Sequence, residues 1–338
     1  MSNDYLWDGS GTPDPDVQRL EALLGRLRTP LVDAPAPKLP PVPARWRTLR
    51  YLAPALAAAA AVLLMIGVTL RTRGVSASWE VASLAGQPRV GSTTLEGKGR
   101  IAVGQTLVTD ERSQARMIVG TIGQVTIDPS TRVRLVAARD GQHRLALERG
   151  TLHAVINAPP GQFVVDTPSA KATDLGCAYT LHVDEDGGGF LSVTSGWVAL
   201  QLNGRESLVP VGASSRTDST LGPGTPTYDD AGEEFRAAVD ELDFGRDPAR
   251  RANALRFVLE HATAGDAVTL WHLISRVDEA NRAVVIDALA EVLPMPSGVT
   301  RDAVLGLNPT ALDQWWNQLG LGEAGWWRNF KAPYPSAR

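Results

Sequence analysis

The sequence predicts a multi-domain chain: a single transmembrane helix, then an antiparallel all-β module, then an all-α helical C-terminal domain. Three observations carry that prediction. Residues 51–70 contain no charged residue and no amide; residues from 79 to about 213 alternate apolar and polar side chains between regularly spaced turn signals; from about residue 230 the apolar spacing becomes helical.

The first element is a short helix in residues 1–29. Asp14 precedes Pro15, which is the order of a capping side chain followed by a proline at the first helical position. Val17, Leu20, Leu23, Leu24 and Leu27 then recur three and four residues apart, with Arg19, Glu21, Arg26 and Arg28 on the other side. A lone amphipathic helix of this length is marginal in water, so these five apolar residues are the candidate partner-binding face. Pro30, Pro35, Pro37, Pro40, Pro41 and Pro43 make residues 30–50 a semi-rigid extended spacer.

The apolar run at 51–70 comes next. Twenty helical residues at ~1.5 Å each span the ~30 Å hydrocarbon core of a bilayer, where only a helix or a closed barrel satisfies its own backbone. Arg47, Arg50 and Tyr51 flank it on one side and Leu70 and Arg71 on the other, as anchor residues. Lys38, Arg45, Arg47 and Arg50 stand before the run with no acid after Asp33, against Arg71 and Arg73 behind it. This bias places the N-terminus in the cytoplasm and everything after the span outside, with no cleavage expected at Val75-Ser76-Ala77.

Residues 79–213 read as strands. Val125 and Ile127 stop at Asp128-Pro129-Ser130, and Val133 and Leu135 resume, which predicts a hairpin. Leu145 and Leu147 lead to Arg149-Gly150, followed by Leu152, Ala154 and Ile156. Tyr179, Leu181 and Val183 pair with Leu191 and Val193 across the Asp184–Gly189 tip, and Val198, Leu200 and Leu202 end at Asn203-Gly204, the signature of a tight two-residue turn. Residues 214–229, rich in Ser, Thr, Gly and Pro, are expected to be a flexible connector.

Residues 230–338 read as consecutive short helices. Asp247-Pro248, Asp278 and Asn308-Pro309 mark their starts, and Gly320 a stop. Five of the nine tryptophans fall here, including Trp326 and Trp327. Most of them suit a small helical core, and an exposed aromatic patch among them would be a docking surface.

Composition excludes several functions. A net charge of −4 with interspersed signs gives no polybasic field for nucleic acid. With Cys177 as the only cysteine there is no intramolecular disulfide and no thiolate zinc site. The five histidines lack metal-ligand spacing, and no nucleophile elbow or phosphate-cradling loop occurs, so neither enzymatic activity, cofactor nor metal is expected. The Asp184–Gly189 run lacks the glutamate a calcium loop needs at its end, where Ser195 stands. Cys177 is expected to be a small buried side chain.

Leu147-Glu148-Arg149-Gly150, Val164-Val165-Asp166-Thr167-Pro168, Asp174-Leu175-Gly176-Cys177-Ala178-Tyr179-Thr180 and Val193-Thr194-Ser195-Gly196-Trp197-Val198 together resemble the FecR domain family, in order and spacing. The resemblance covers about residues 100–215. It implies the exported β module of a bacterial membrane-anchored regulator, with a cytoplasmic segment that binds an extracytoplasmic-function sigma factor and an exported part that receives an envelope signal. The expected location is therefore the bacterial inner membrane, with the domains after the span in the periplasm. The alternative is a structural, envelope-tethered binding module with no cytoplasmic client.

Overall fold

The computed structural model describes residues 14–25 and 77–325. The chain divides into two units, Met1–Thr72 and Arg73–Arg338. In the first unit, helix α1 (Pro15–Gly25) begins where Asp14 predicted it, with the Asp14 carboxylate accepting the Asp16 N–H at 2.9 Å. Among the described residues no helix is long and apolar enough to cross a membrane. The 51–70 run and the anchor residues Arg47, Arg50, Tyr51, Leu70 and Arg71 lie outside them.

The second unit opens with strands β1 (Ser78–Ala85), β2 (Arg89–Val90), β3 (Thr93–Thr94), β4 (Lys98–Ala102), β5 (Thr106–Val108), β6 (Gln114–Val119), β7 (Gly123–Ile127) and β8 (Arg132–Arg139). It continues through the 15-residue β9 (Gln142–Ile156), then β10 (Phe163–Asp166), β11 (Lys171–Asp174), β12 (Ala178–Val183), β13 (Gly189–Ser195), β14 (Trp197–Leu202), β15 (Arg205–Pro210) and β16 (Ala213–Asp218). Two short strands, β17 (Gly222–Pro223) and β18 (Thr227–Tyr228), complete it.

These strands make two sheets that share β9. One runs β4-β1-β6-β7-β9-β12-β13-β16, with β17 and β18 both on β16; the other runs β3-β2-β5-β8-β9-β10-β11-β14-β15. The first half of β9 pairs with β8 and β10, the second half with β7 and β12. The strand changes sheets at Arg149-Gly150, where Gly150 has φ +87° and an added Cβ would lie 2.3 Å from the Thr131 hydroxyl, so only glycine fits. Alternate residues from both sheets, among them Val81, Met117, Val125, Leu145, Leu152, Phe163, Leu181 and Leu200, close into one buried cluster. That is a β-sandwich core, and its single parallel pairing among the described strands is β9 with β10.

Two expectations need correction. The turn at Asp128-Pro129-Ser130 does not make a hairpin: β7 pairs with β6 and β9, β8 pairs with β5 and β9, and the turn carries the chain from one sheet to the other. Alternation on each side of a turn reveals which face is buried but not which strand is the neighbour. Residues 214–229 are not a flexible connector either, because β16, β17 and β18 extend the first sheet through them. The Asn203-Gly204 turn is as expected, with φ +51° and +79° at its two residues and β14 paired to β15 on either side.

Helices follow: α2 (Glu233–Phe244), α3 (Pro248–His261), α4 (Ala267–Ile274), α5 (Glu279–Val292), α6 (Arg301–Leu305) and α7 (Pro309–Trp316). Asp247, Asp278 and Asn308 each accept a backbone N–H of the first turn of α3, α5 and α7. Trp315 and Trp316 are fully buried in the helical core, with indole N–H groups donated to the carbonyls of Leu293 and Gly322. Ala199 and Leu208 from the second sheet, and Leu175 just after β11, belong to that same core, so the helices pack directly on the strands.

Candidate functional site

Two runs of the family resemblance, Asp174–Thr180 and Val193–Val198, lie where the chain changes sheets twice, side by side. Between β11 and β12 it crosses through Leu175, Gly176 and Cys177; between β13 and β14 it returns through Gly196. A Cβ on Gly196 would come within 2.3 Å of the Gly176 carbonyl, at φ +70°. Asp174 is 1% exposed and staples the first crossing, accepting the Gly176 N–H at 2.7 Å and the Cys177 thiol at 2.6 Å. Burial pushes its carboxyl up to about 7 against those hydrogen bonds, and raises the Cys177 thiol far above its ordinary range. Cys177 is thus the small buried side chain expected, and its acidic neighbour holds it in the unreactive thiol form. The motif is architectural: it holds a double crossover.

Trp197, next to this crossover, is half-buried against the helical core rather than in the sandwich core. Trp197→Ala is expected to cost about 2 kcal/mol in urea unfolding, below the ~3–5 kcal/mol of a fully buried aromatic. A loss at the top of that range would mean the side chain belongs to the core.

The joint between strands and helices contains a polar network that no spacing or motif foreshadowed. Asp243, at the end of α2 and 8% exposed, accepts hydrogen bonds from the Thr225 backbone and hydroxyl and from the guanidinium groups of Arg205 and Arg276. The Arg276 side chain is 5% exposed and also donates to the Thr225 hydroxyl at 2.8 Å, the Glu206 carbonyl at 2.8 Å and the Ser207 hydroxyl at 2.6 Å. Burial lowers Arg276 to about 10, opposed by Asp243, so it stays charged at neutral pH. One turn back on α4, His272 accepts the Leu208 N–H at 3.1 Å and meets the Val268 carbonyl at 2.8 Å. A carbonyl only accepts and an amide N–H only donates, so the imidazole carries its proton on Nδ1 and is neutral. Burial, then the Arg276 charge, push it down to about 3. A cleft of about 990 Å³ opens beside this network, lined by Arg246, Arg251 and Ser275 among others.

The outer face of the first sheet holds a second arrangement that spacing did not reveal. His153 lies opposite Thr180, and His182 opposite Thr151, on β9 and β12. Each ring is bonded to its threonine, at 2.9 and 2.7 Å, and to an aspartate, Asp128 at 2.7 Å or Asp184 at 3.0 Å. The signal was present as Thr-x-His repeated at 151–153 and 180–182, legible only once the two strands are known to be neighbours.

The candidate partner face on α1 stands open. Leu20, Leu23 and Leu24 are 58%, 63% and 55% exposed, Val17 is half-buried, and no residue of the helix is buried. Leu27 lies outside the described residues.

Residues 105–199 match the family described as FecR protein. The match spans β5 to β14 and contains the double crossover. No curated protein gives a significant match. Two crystal structures of a protein described as "a putative anti-sigma factor" from Parabacteroides distasonis are similar at 17% identity and a TM-score of 0.33 each. One similarity covers 39% of this chain and 63% of that one, the other 45% and 73%.

Proposed function

We propose that this chain is a single-pass regulator of the bacterial inner membrane, with α1 in the cytoplasm and the FecR-like module and its helices in the periplasm. In this reading α1 binds a protein client such as an extracytoplasmic-function sigma factor, and the exported part receives a signal from an envelope component. The reading assigns contact and signal transfer to the protein, with no catalytic residue, cofactor or metal and no nucleic-acid partner. The domain boundaries it uses are residues 1–29 for the client-binding segment, 30–50 for the spacer, 51–70 for the span, and the strand and helix portions thereafter.

The observation that carries it is the open face of α1. Full burial of a leucine contributes about 1.5–3 kcal/mol, so covering three that are more than half exposed offers several kcal/mol before ordering costs. That suits a reversible contact, and a coupling of about 1–3 kcal/mol between the two sides of the membrane is enough to bias it. The FecR match supports the class of protein, and the lysine and arginine excess before residue 51 supports the orientation.

The test is capture of a cytosolic client by the full chain. Leu20→Asp with Leu24→Asp is expected to abolish capture while membrane insertion and the fold of residues 77–325 are unchanged. A wild-type chain that retains no client, or a doubly substituted chain that retains the same one, favours instead an envelope-tethered binding module with an idle N-terminal segment.

A further inference from the structure

The cleft beside the Asp243 network carries more positive charge than its own carboxylates answer. Its volume is about 990 Å³, within the ~300–1,000 Å³ of sites that enclose a small ligand. Four arginines line it, Arg205, Arg246, Arg251 and Arg276, against three acids, Glu206, Asp218 and Asp243. One positive charge is left over.

The acids are also committed to the fold. Asp243 is shared by Arg205, Arg276 and Thr225. Asp218 accepts the N–H groups of Thr220 and Leu221 at 2.8 and 2.7 Å, and Glu206 accepts the Gln201 amide at 2.9 Å. The arginines are not equally committed. Arg276 is spent within the network, bonded to Thr225, Asp243, Ser207 and the Glu206 carbonyl. Arg205 has one nitrogen bonded, Nη2 to Asp243, while its Nε is buried with no acceptor among the described residues. An unanswered N–H on a buried charged group costs more than an ordinary missed bond. The Arg205 side chain is nevertheless 20% exposed, and it lies over the Phe244 ring at 5.8 Å, a wall of the same cleft. Arg246 and Arg251 are exposed, and Arg251 is tethered by its Nε–H to the Leu242 carbonyl at 3.2 Å. Leu221, 45% exposed, adds apolar surface.

Guanidinium forks take carboxylates and phosphates alike. The surplus here is a single charge, which a carboxylate matches, whereas a phosphate monoester brings about −1.5 to −2. Phe244 and Leu221 suit an apolar body behind the anion.

We infer that this cleft binds an organic carboxylate with an apolar body, its carboxylate on Arg205 between the rim charges of Arg246 and Arg251, its body against Phe244 and Leu221. The inference does not depend on what α1 binds. A free organic acid and the C-terminal end of a peptide offer the same chemistry.

The experiment is isothermal titration of the full chain with 3-phenylpropionate for the free acid and N-acetyl-phenylalanine for the peptide end. Each is compared with its neutral amide, and inorganic phosphate is the competing anion. At least one acid is expected to bind, with its amide about tenfold or more weaker; the tighter of the two acids tells a free acid from a peptide end. Arg205→Lys keeps the charge but loses the fork, and is expected to weaken the acid by about tenfold. Arg246→Glu, at an exposed position, is expected to weaken it by about threefold, and Arg139→Glu, an equal change of net charge outside the cleft, to leave it unchanged. Circular dichroism verifies the fold of each variant, and the acid-to-amide ratio and Arg246→Glu decide the matter if Arg205→Lys does not fold. Binding of neither acid overturns the inference and leaves the Arg205 Nε–H to water. Amides as tight as the acids, phosphate tighter than both, or an equal loss in Arg139→Glu also overturn it.

Discussion

Asp243→Ala is expected to lower the stability of the Arg73–Arg338 unit by about 3–5 kcal/mol, because it leaves the Arg276 guanidinium buried without its counter-charge. The reason is the asymmetry of buried ion pairs. The intact pair contributes little net stability after the desolvation of both partners, but removal of one partner keeps the full cost of the other. Arg205, whose side chain is 20% exposed, can turn toward water; Arg276, at 5%, is held by Thr225, Glu206 and Ser207 and cannot. The surface pair Arg301–Asp287 supplies the contrast, since both side chains are about half exposed and Asp287→Ala is expected to cost under about 1 kcal/mol. Asp243→Leu combined with Arg276→Met is expected to recover a large part of the loss. Urea unfolding of the four proteins decides the matter. If Asp243→Ala costs no more than Asp287→Ala, the helices are held on the strands by apolar contact alone, and the network is an ornament of the joint.

What was legible in the sequence is what local chemistry determines. Asp247, Asp278 and Asn308 cap their helices because a side chain bonds to its own next few residues, and Asn203-Gly204 turns because those two residues tolerate positive φ. The pairing of β7 was not legible: its neighbours β6 and β9 are chosen by the burial of both sheets together, and the turn after it is equally compatible with a hairpin. Residues 214–229 misled for a different reason. Their hydroxyls suggest solvent, yet Ser215 and Thr217 are buried, with Ser215 bonded to the Gly224 carbonyl at 2.8 Å and Thr217 to Ser169 at 2.8 Å. A serine whose hydroxyl is satisfied by a distant backbone looks identical, in sequence, to one in a linker. The same holds for Asp243, an ordinary helix acid until Arg205 and Arg276, 38 and 33 residues away, are brought to it.

Asp174 and His272 are expected to give the Arg73–Arg338 unit opposite pH dependences that nearly cancel, and single substitutions should expose each. Asp174 has its carboxyl raised to about 7, so between about pH 4 and 7 the folded protein holds a proton that the unfolded chain has released. Its contribution is present in acid and lost as pH rises through that window, on the order of 4 kcal/mol in all. His272 is lowered to about 3, so below about 6.5 the unfolded chain takes up a proton that the folded protein refuses. Stability is then lost as pH falls from about 6.5 toward 3, again on the order of 4–5 kcal/mol. Asp240, raised to about 6 by burial, adds to the Asp174 direction with solvent screening, and His143, lowered by burial, adds to that of His272. Each group taken alone tilts the profile by up to about 1.4 kcal/mol per pH unit. In wild type the two slopes oppose each other between about pH 4 and 6.5, and stability should vary little there. Asp174→Asn removes one limb, and its stability is expected to fall steeply on acidification. His272→Gln keeps an acceptor for the Leu208 N–H and a donor for the Val268 carbonyl, and is expected to gain stability on acidification over the same range, whatever its baseline loss. Chemical denaturation of the three proteins at half-unit intervals reads these slopes. Parallel profiles for all three would mean that neither group keeps its buried protonation state in the folded protein, and that water reaches both the crossover and the joint.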